Sequence, residues 1–181
     1  MVERVTLEKT NLKGVYLLKP GIFTDNRGSY CELYNKKEYS NLLKENNLDY
    51  LEFLTDCISI SKKNVLKGFH GDLKTWKLTT CLEGEVYSVI LNCDESSKDF
   101  GRWESFILSE KNRHQLLIPP KFGNSFLVLS DKAIYYYKQS TYYNPKELPQ
   151  FTFKWNDPRF DVKWPIDDPI LSERDKLTYY S

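Results

Sequence analysis

The sequence is poor in the residues that most often bind metal ions. It has two histidines in 181 residues, His70 and His114, and four cysteines with no CxxC pair among them. A site of three histidines is therefore excluded, and neither a zinc knuckle nor a disulfide framework is expected. We expect the four cysteines to be reduced, structural thiols.

Excess charge and long apolar runs are also missing. The 26 Lys and Arg residues balance 25 Asp and Glu residues, whereas a general nucleic-acid-binding protein needs a strongly basic face or domain. The first ten residues, MVERVTLEKT, contain no signal-peptide core, and no segment approaches the roughly 20 apolar residues of a membrane span. The sequence predicts a cytoplasmic protein with no nucleic-acid or membrane partner, whose anionic ligands are small.

The chain does contain many aromatic residues and several segments with strand-like patterns. Aromatics make up 15% and hydrophobic residues 40%, which argues against disorder, and the length predicts one domain over residues 1–181. One helix is predicted from Lys37 to about Asn47. Eight further segments have strand-like patterns: Val15–Leu18, Cys57–Ser61, Trp76–Cys81, Glu85–Asn92, Trp103–Leu108, Gln115–Ile118, Ser125–Leu129 and Ala133–Ser140. Such spacing is typical of a sandwich or barrel, and an irregular tail follows from about residue 145.

The middle of the chain has the order of elements found in a cupin. A strand ends at His70, another passes through Lys77, a turn contains Gly84, and a corner lies at Pro119–Gly123. The commonest cupin chemistry needs two or three histidines and a glutamate around a metal ion. With two histidines in all, a metal-free site is the better interpretation. We therefore expect an all-β, cupin-type jelly roll (double-stranded β-helix) with short peripheral helices.

Two polar residues in this region are candidates for chemistry. His70, flanked by Gly68 and Gly71, is either a packed or exposed imidazole or a general base that a substrate approaches closely. Strand alternation places Lys77 on the face opposite Leu78. A solvated face is favoured there on general grounds; a cavity-facing lysine would instead stabilise negative charge on oxygen.

Tyrosines and a late carboxylate complete the candidates. Most residues of the run Tyr135–Tyr137 are expected in the core or at its rim, but one facing a cavity would serve as a proton donor. Asp175 either orients an imidazole or lies in an exposed helix start capped by Ser172. His114, between charged and polar neighbours, is expected at the surface.

Several short sequence motifs occur in a specific order along most of the chain. They are Asp25–Gly28 with Glu32, Val65–His70, Lys77-Leu78, Gly84–Val86, Phe100–Trp103, Gln115–Pro119, Tyr137-Lys138, Tyr142-Tyr143, Trp155–Pro158, Trp164-Pro165, and Ile170–Ser172 with Asp175. Together they resemble the dTDP-4-dehydrorhamnose 3,5-epimerase family, from about residue 23 to residue 175. The resemblance implies a metal-free, cofactor-free homodimer that epimerises nucleotide-linked 4-keto sugars.

The resemblance also implies roles for individual residues. His70 matches the family's base and Asp175 the partner of that base. Tyr137 matches the acid, and Lys77 the lysine near the enolate oxygen. These roles come from the family, because the local sequence leaves each of them open.

Four more positions match the part of the family site that binds substrate. Arg27 and Glu32 match contacts to the nucleotide end, often made across a dimer interface. Lys67 replaces a family arginine, and Asn124 replaces the second active-site histidine. A lysine gives a point charge instead of a planar fork, and an asparagine forms hydrogen bonds but does not titrate.

The phrases GFHGD, IPPKFGN and YYKQSTYYN are closest to a branch of the family that acts on GDP-4-keto-heptoses for bacterial capsule polysaccharides. We therefore expect inversion of C3, C5 or both in such a sugar. A C3-only epimerase is one alternative, and a catalytically silent cupin that binds a nucleotide sugar is another.

Overall fold

The structure, a computed structural model, describes residues 4–48 and 50–176. Its elements in chain order are β1 (Val5–Lys9), β2 (Tyr16–Pro20), β3 (Ile22–Asp25), β4 (Gly28–Cys31), α1 (Lys36–Glu45), β5 (Thr55–Lys62), β6 (Leu66–Gly71), β7 (Lys77–Glu83), β8 (Glu85–Asn92), β9 (Trp103–Ser109), β10 (Gln115–Ile118), β11 (Phe122–Val128), β12 (Lys132–Gln139), β13 (Phe151–Phe153) and α2 (Glu173–Lys176). Strands dominate, and the helices are short, as predicted.

Two large antiparallel sheets form the body of the fold. One has the strand order β1-β2-β10-β7-β12-β5, the other β13-β6-β11-β8-β9, and β3 and β4 form a separate hairpin. The main core cluster draws residues from both sheets, for example Leu116 and Tyr135 from the first and Ile90 and Leu108 from the second. Burial of apolar area between two sheets is what holds such a double-sheet roll together. The predicted all-β cupin-type fold is confirmed.

The predicted helix is confirmed as α1. The side chain of Asn35 caps its first turn by accepting hydrogen bonds from the backbone N–H groups of Lys37 and Glu38. The helix buries Tyr39 and Leu43 against a second core cluster that includes Leu78 of β7 and Leu117 of β10. It ends at Glu45, and the Asn-Asn pair that follows terminates it as expected.

The eight predicted strands are all present, and two of them, β8 and β10, have the predicted bounds. The strand expected to end at His70 is β6, and the remaining four strands were not predicted: β1, β3, β4 and β13. The side chains of β3 are all exposed, so the hairpin shows no alternation of buried and exposed residues. β13 has three residues and pairs with β6, which brings the late part of the chain to the strand that carries His70.

All four cysteines are free, which agrees with the prediction of reduced thiols. Burial raises the pKa of Cys81 and of Cys93 to about 12, so neither is a reactive thiolate at neutral pH. Within the described residues, no helix has the length and apolar character needed to cross a membrane.

Candidate active site

A cavity of about 370 Å³ lies between the two sheets, lined by side chains from β5, β6, β7, β11, β12 and the C-terminal segment. Six of the eight predicted site residues line it: His70, Lys77, Tyr137, Asp175, Lys67 and Asn124. They come from positions up to 108 residues apart, Lys67 being the first and Asp175 the last. The other two, Arg27 and Glu32, do not line this cavity.

His70 and Asp175 form the central contact of the cavity. The distance from His70 Nε2 to Asp175 Oδ1 is 2.8 Å. Asp175 is only 4% exposed, so the alternative of an exposed helix start is wrong, although Ser172 does contact it. The Ser172 hydroxyl donates to Asp175 Oδ2 at 2.8 Å. Burial raises the pKa of Asp175, but its contacts with His70, Ser172 and the Gly68 N–H outweigh burial and hold the pKa below its usual value.

The second ring nitrogen of His70 has its own partner. His70 Nδ1 lies 3.1 Å from Thr152 Oγ1, and Thr152 stands directly opposite His70 in the pairing of β13 with β6. Arg174 donates to the same hydroxyl from Nε at 3.0 Å and from Nη2 at 2.6 Å. The imidazole is thus held at both nitrogens, by Asp175 and by Thr152.

Lys77 is buried, which corrects the expectation of a solvated strand face. It is 7% exposed and its Nζ donates to the backbone oxygen of His70 at 3.2 Å. Its strand lies inside the sheet between β10 and β12, so one face meets the cavity while Leu78 on the other face packs under α1. Burial lowers the pKa of Lys77; the nearby Asp72 opposes that shift and Arg174 adds to it.

Tyr137 brings a phenol to the same cavity. It lies on β12, opposite Thr79 of β7 and Cys57 of β5. Burial raises the pKa of Tyr137, and the neighbouring Cys57 raises it further. The phenol is therefore protonated at neutral pH and is able to donate a proton.

Lys67 and Asn124 complete the predicted set. Lys67 Nζ donates to Ser59 Oγ at 2.5 Å, and burial lowers its pKa while Asp175 acts in the opposite direction. Asn124 stands opposite His70 in the pairing of β11 with β6. Its Oδ1 accepts a hydrogen bond from the Tyr135 hydroxyl at 3.1 Å.

Comparison with known proteins supports the same interpretation. The family described as dTDP-4-dehydrorhamnose 3,5-epimerase matches residues 9–180. The chain belongs to this family. The dTDP-4-dehydrorhamnose 3,5-epimerase of Shigella flexneri is 35% identical over 170 residues, which cover 92% of this chain and 91% of that protein. The Escherichia coli (strain K12) enzyme is 36% identical over 175 residues, covering 94% and 91%.

Solved structures of epimerases have the same fold. A dTDP-6-deoxy-D-glucose-3,5-epimerase from Legionella pneumophila, in complex with dTDP-4-keto-L-rhamnose, superposes with a TM-score of 0.86 at 32% identity, covering 95% of this chain and 90% of that one. A dTDP-4-dehydrorhamnose 3,5-epimerase from Elizabethkingia anophelis gives 0.84 at 35% identity, covering 97% and 95%. This member of the epimerase family is accordingly an isomerase, and its substrates are nucleotide-linked sugars.

Side chains that often bind metal ions are not clustered in the described part of this epimerase. Across residues 4–48 and 50–176, no group of three or more His, Cys, Asp or Glu side chains is arranged to hold a metal ion. His114 lies outside the cavity and is half-buried instead of lying at the surface as expected. Burial lowers its pKa, and Lys19 acts in the same direction.

Arg27 and Glu32 lie on or beside the exposed hairpin of this epimerase. Arg27 is in the turn between β3 and β4, where its side chain is 85% exposed and its Nη2 is 2.6 Å from Asp25 Oδ2. Glu32 directly follows β4 and its Oε2 lies 3.9 Å from Arg4 Nη1. A single chain of this epimerase therefore does not bring the two residues to the cavity.

Several cavity residues of the epimerase were not predicted from sequence. They are Ser59, Tyr135, Gln139, Gln150 and Arg174, together with Thr152 behind His70. Alternation along β12 was a usable signal, because Tyr135 and Gln139 lie two residues on either side of Tyr137 and share its face. Thr152 gave no such signal, since only the pairing of β13 with β6 brings it to His70.

Proposed function

We propose that the protein inverts C3, C5 or both in a nucleotide-linked 4-keto sugar by removing a proton to form an enolate and returning a proton to the other face. The observation that carries this proposal is the 2.8 Å contact between His70 and Asp175, made in a cavity that Lys77 and Tyr137 also line. A base, a cation and a protonated phenol in one cavity are the three groups that such a reaction requires.

Each group has a step in the proposed mechanism. The ketone at C4 acidifies the hydrogens on C3 and C5, because the carbanion left by deprotonation delocalises onto the ketone oxygen. His70, whose Nε2 contacts Asp175, takes the proton at Nδ1 once the substrate displaces the Thr152 hydroxyl from that nitrogen. The ammonium of Lys77 stabilises the enolate oxygen in a water-poor site, where such contacts are strongest. Tyr137 then donates a proton to the opposite face, and exchange with solvent resets both residues.

We propose a GDP-4-keto-heptose of capsule polysaccharide synthesis as the substrate. The proposal rests on two observations. The sequence motifs GFHGD, IPPKFGN and YYKQSTYYN resemble the heptose branch of the family, and two cavity residues depart from the usual family pattern. Lys67 and Asn124 both replace a larger side chain that the family has there, which leaves more room beside the sugar, and Asn124 also removes a titratable group. A dTDP-4-keto-6-deoxy sugar is the second candidate, because the relatives described above are named for dTDP sugars.

We further propose that the protein is a homodimer, with the nucleotide end of the substrate bound by Arg27 and Glu32 of one chain at the cavity of the other. Strand β5 is the edge of its sheet and carries two exposed apolar residues, Ile58 and Ile60, which are 59% and 63% exposed. An edge strand of this kind readily pairs with another chain. The exposed hairpin that carries Arg27 supports the same arrangement.

A cytoplasmic location belongs to this proposal, and cell fractionation tests it.

Solvent exchange tests the proposed reaction and its substrate together. The protein is incubated in D₂O with GDP-4-keto-heptose and, in parallel, with dTDP-4-keto-6-deoxyglucose, while NMR follows deuterium and configuration at C3 and C5. Exchange with inversion at both carbons supports a 3,5-epimerase, and exchange at C3 alone supports a 3-epimerase. Saturable binding with no exchange supports the silent binding protein. The nucleotide sugar that reacts faster identifies the branch.

A further inference from the structure

The cavity contains a buried hydrogen bond that the proposed mechanism does not use. The Tyr135 hydroxyl donates to Asn124 Oδ1 at 3.1 Å. Tyr135 is 1% exposed, and its ring stacks on Phe126 with centroids 4.1 Å apart and planes 20° apart. Because an amide oxygen only accepts hydrogen bonds, the phenol must be the donor. The bond therefore fixes which end of the amide faces Tyr135.

The other end of the amide is free to meet a ligand. Asn124 stands directly opposite His70 across the β11–β6 pair, so the two side chains share one face, and both line the cavity. In the part of the chain that the structure describes, Asn124 Nδ2 has no hydrogen-bond partner. Two N–H donors are thus available beside His70, in the cavity that also holds Lys77.

Burial keeps the Tyr135 phenol in its protonated form, although polar groups surround its oxygen. Thr79 and Ser88 are both 0% exposed, and their hydroxyls lie near the Tyr135 oxygen. Thr79 Oγ1 makes no well-formed hydrogen bond within the described residues. Burial raises the pKa of Tyr135 to about 12 against the opposing effects of Thr79, Asn124 and Ser88. The hydroxyl therefore keeps its proton at neutral pH and is able to donate it to Asn124 Oδ1.

We propose that Tyr135 is a positioning residue that holds the Asn124 amide with its N–H groups towards the substrate, where one of them donates to the oxygen on which enolate charge develops. This inference rests on the proposed function, because the charge appears only in an enolate-forming reaction. Asn124 then supplies a donor where the family has a histidine, and it does so without a titratable group. A donor fixed before the reaction needs no reorganisation when the charge appears.

The hydroxyl of Tyr135 matters because the Asn124 side-chain amide, without a hydrogen-bond partner, has two possible orientations. With Nδ2 towards the cavity, Asn124 stabilises an oxyanion beside the ammonium of Lys77. With Oδ1 towards the cavity, it repels the same oxyanion. The hydrogen bond from the Tyr135 hydroxyl to Oδ1 favours the first orientation.

A double-mutant cycle on kcat tests the inference. We expect Asn124→Ala to lower kcat for C–H exchange by about 10²–10³, the usual effect of losing one oxyanion donor. We expect Tyr135→Phe to lower kcat about 10-fold with little change in KM, since one hydrogen bond orients the donor. In the Asn124→Ala background, Tyr135→Phe should have no further effect. If the effects of the two substitutions on kcat multiply in the double variant, Tyr135 acts independently of Asn124 and the inference is overturned. A wild-type kcat in Asn124→Ala would overturn it as well.

A second readout needs no substrate and separates this inference from the proposed function. The side-chain NH₂ resonances of Asn124 in ¹H–¹⁵N spectra, assigned by their loss in Asn124→Ala, should shift in Tyr135→Phe. They should stay in place in the control Tyr136→Phe, which removes a hydroxyl on the other face of β12. Unmoved resonances in Tyr135→Phe contradict the inference even in an active enzyme. If the wild type turns over neither nucleotide sugar, the proposed function fails. The proposed donor role then fails with it, even where the resonances show that the hydrogen bond between Tyr135 and Asn124 exists.

Discussion

The carboxylate of Asp175 occupies the space that a side chain at position 68 would need. A Cβ added to Gly68 would lie 2.6 Å from Asp175 Oδ1, the atom that contacts His70 Nε2 at 2.8 Å. The backbone of β6 therefore lets the C-terminal segment approach closely only because residue 68 is glycine. Two residues on one short strand, Gly68 and His70, together build the contact that orients the imidazole.

Gly68→Ala should displace Asp175 and weaken its hold on His70. We expect kcat to fall about 10²-fold, because a misplacement of about 1 Å in a catalytic contact has an effect of that size. The rate of deuterium incorporation into the sugar measures it, and circular dichroism checks the fold. Asp168→Asn, a change at an exposed carboxylate, is the control and should be neutral. An unchanged rate in Gly68→Ala would mean that the reaction does not depend on the position of Asp175.

Lys77→Met should lower activity and raise stability at once. Lys77 is 7% exposed, and keeping a charged amine there is unfavourable, as its lowered pKa indicates. We expect a gain of about 1 kcal/mol in the free energy of unfolding and a rise of about 2–4 °C in Tm. We expect kcat to fall by about 10²–10³.

Calorimetry and the exchange assay measure both effects of Lys77→Met. The matched control is Lys98→Met, which changes an exposed lysine and should alter neither quantity appreciably. A less stable Lys77→Met protein would show that the ammonium supports the fold, and near-normal turnover would show that it does not stabilise the enolate.

The acid stability of the protein should depend on Asp175. Its pKa is held below the ordinary value by His70, Ser172 and the Gly68 N–H, which outweigh the effect of burial. A carboxyl whose pKa is lower in the folded state contributes stability that is full above its unfolded pKa of about 3.9. That stability is lost as the pH falls through the lower folded value.

Urea unfolding of the wild type and of Asp175→Asn, followed from pH 7 down to pH 3, tests this dependence. We expect the wild type to be the more stable protein at pH 7 and the difference to shrink as the pH falls below about 4. A difference that stays constant or grows over that range would contradict the assignment of a lowered pKa to Asp175.

Ile60→Lys should separate the proposed dimer. Ile60 is 63% exposed on the edge strand β5, where a charge blocks pairing with a second chain. Sedimentation velocity should show a dimeric wild type and a monomeric variant whose KM for the nucleotide sugar is raised. Ile107→Lys is the control, because Ile107 is also exposed and lies on β9, the edge of the other sheet. A monomeric wild type with full activity would contradict the dimer.

The fold could be predicted where strands bury alternate side chains or lie wholly in the core. Glu85–Asn92 and Gln115–Ile118 match β8 and β10 residue for residue, and β10 is buried at all four positions. The hairpin formed by β3 and β4 could not be predicted because solvent contacts nearly all of its side chains. β13 has three residues, and its pairing with β6 involves residues about 80 positions away.

The site could be predicted only with help from the family resemblance. His70 and Asp175 are 105 residues apart, and each has an ordinary structural interpretation in its own local sequence. Lys77 was misjudged from local pattern because its strand lies inside a sheet, with a cavity on one face and a core on the other. Thr152 was missed altogether, since tertiary pairing alone places its hydroxyl at the imidazole.

The proton-transfer roles of His70 and Tyr137 are tested most directly by deuterium incorporation in two variants. In D₂O with the nucleotide sugar that the wild type turns over, His70→Asn should incorporate no deuterium at C3 or C5, because no base removes the proton. Tyr137→Phe should incorporate some deuterium while inversion fails. His114→Asn, a change outside the cavity, and Tyr136→Phe should behave as wild type. Full exchange with inversion in both His70→Asn and Tyr137→Phe would contradict the mechanism.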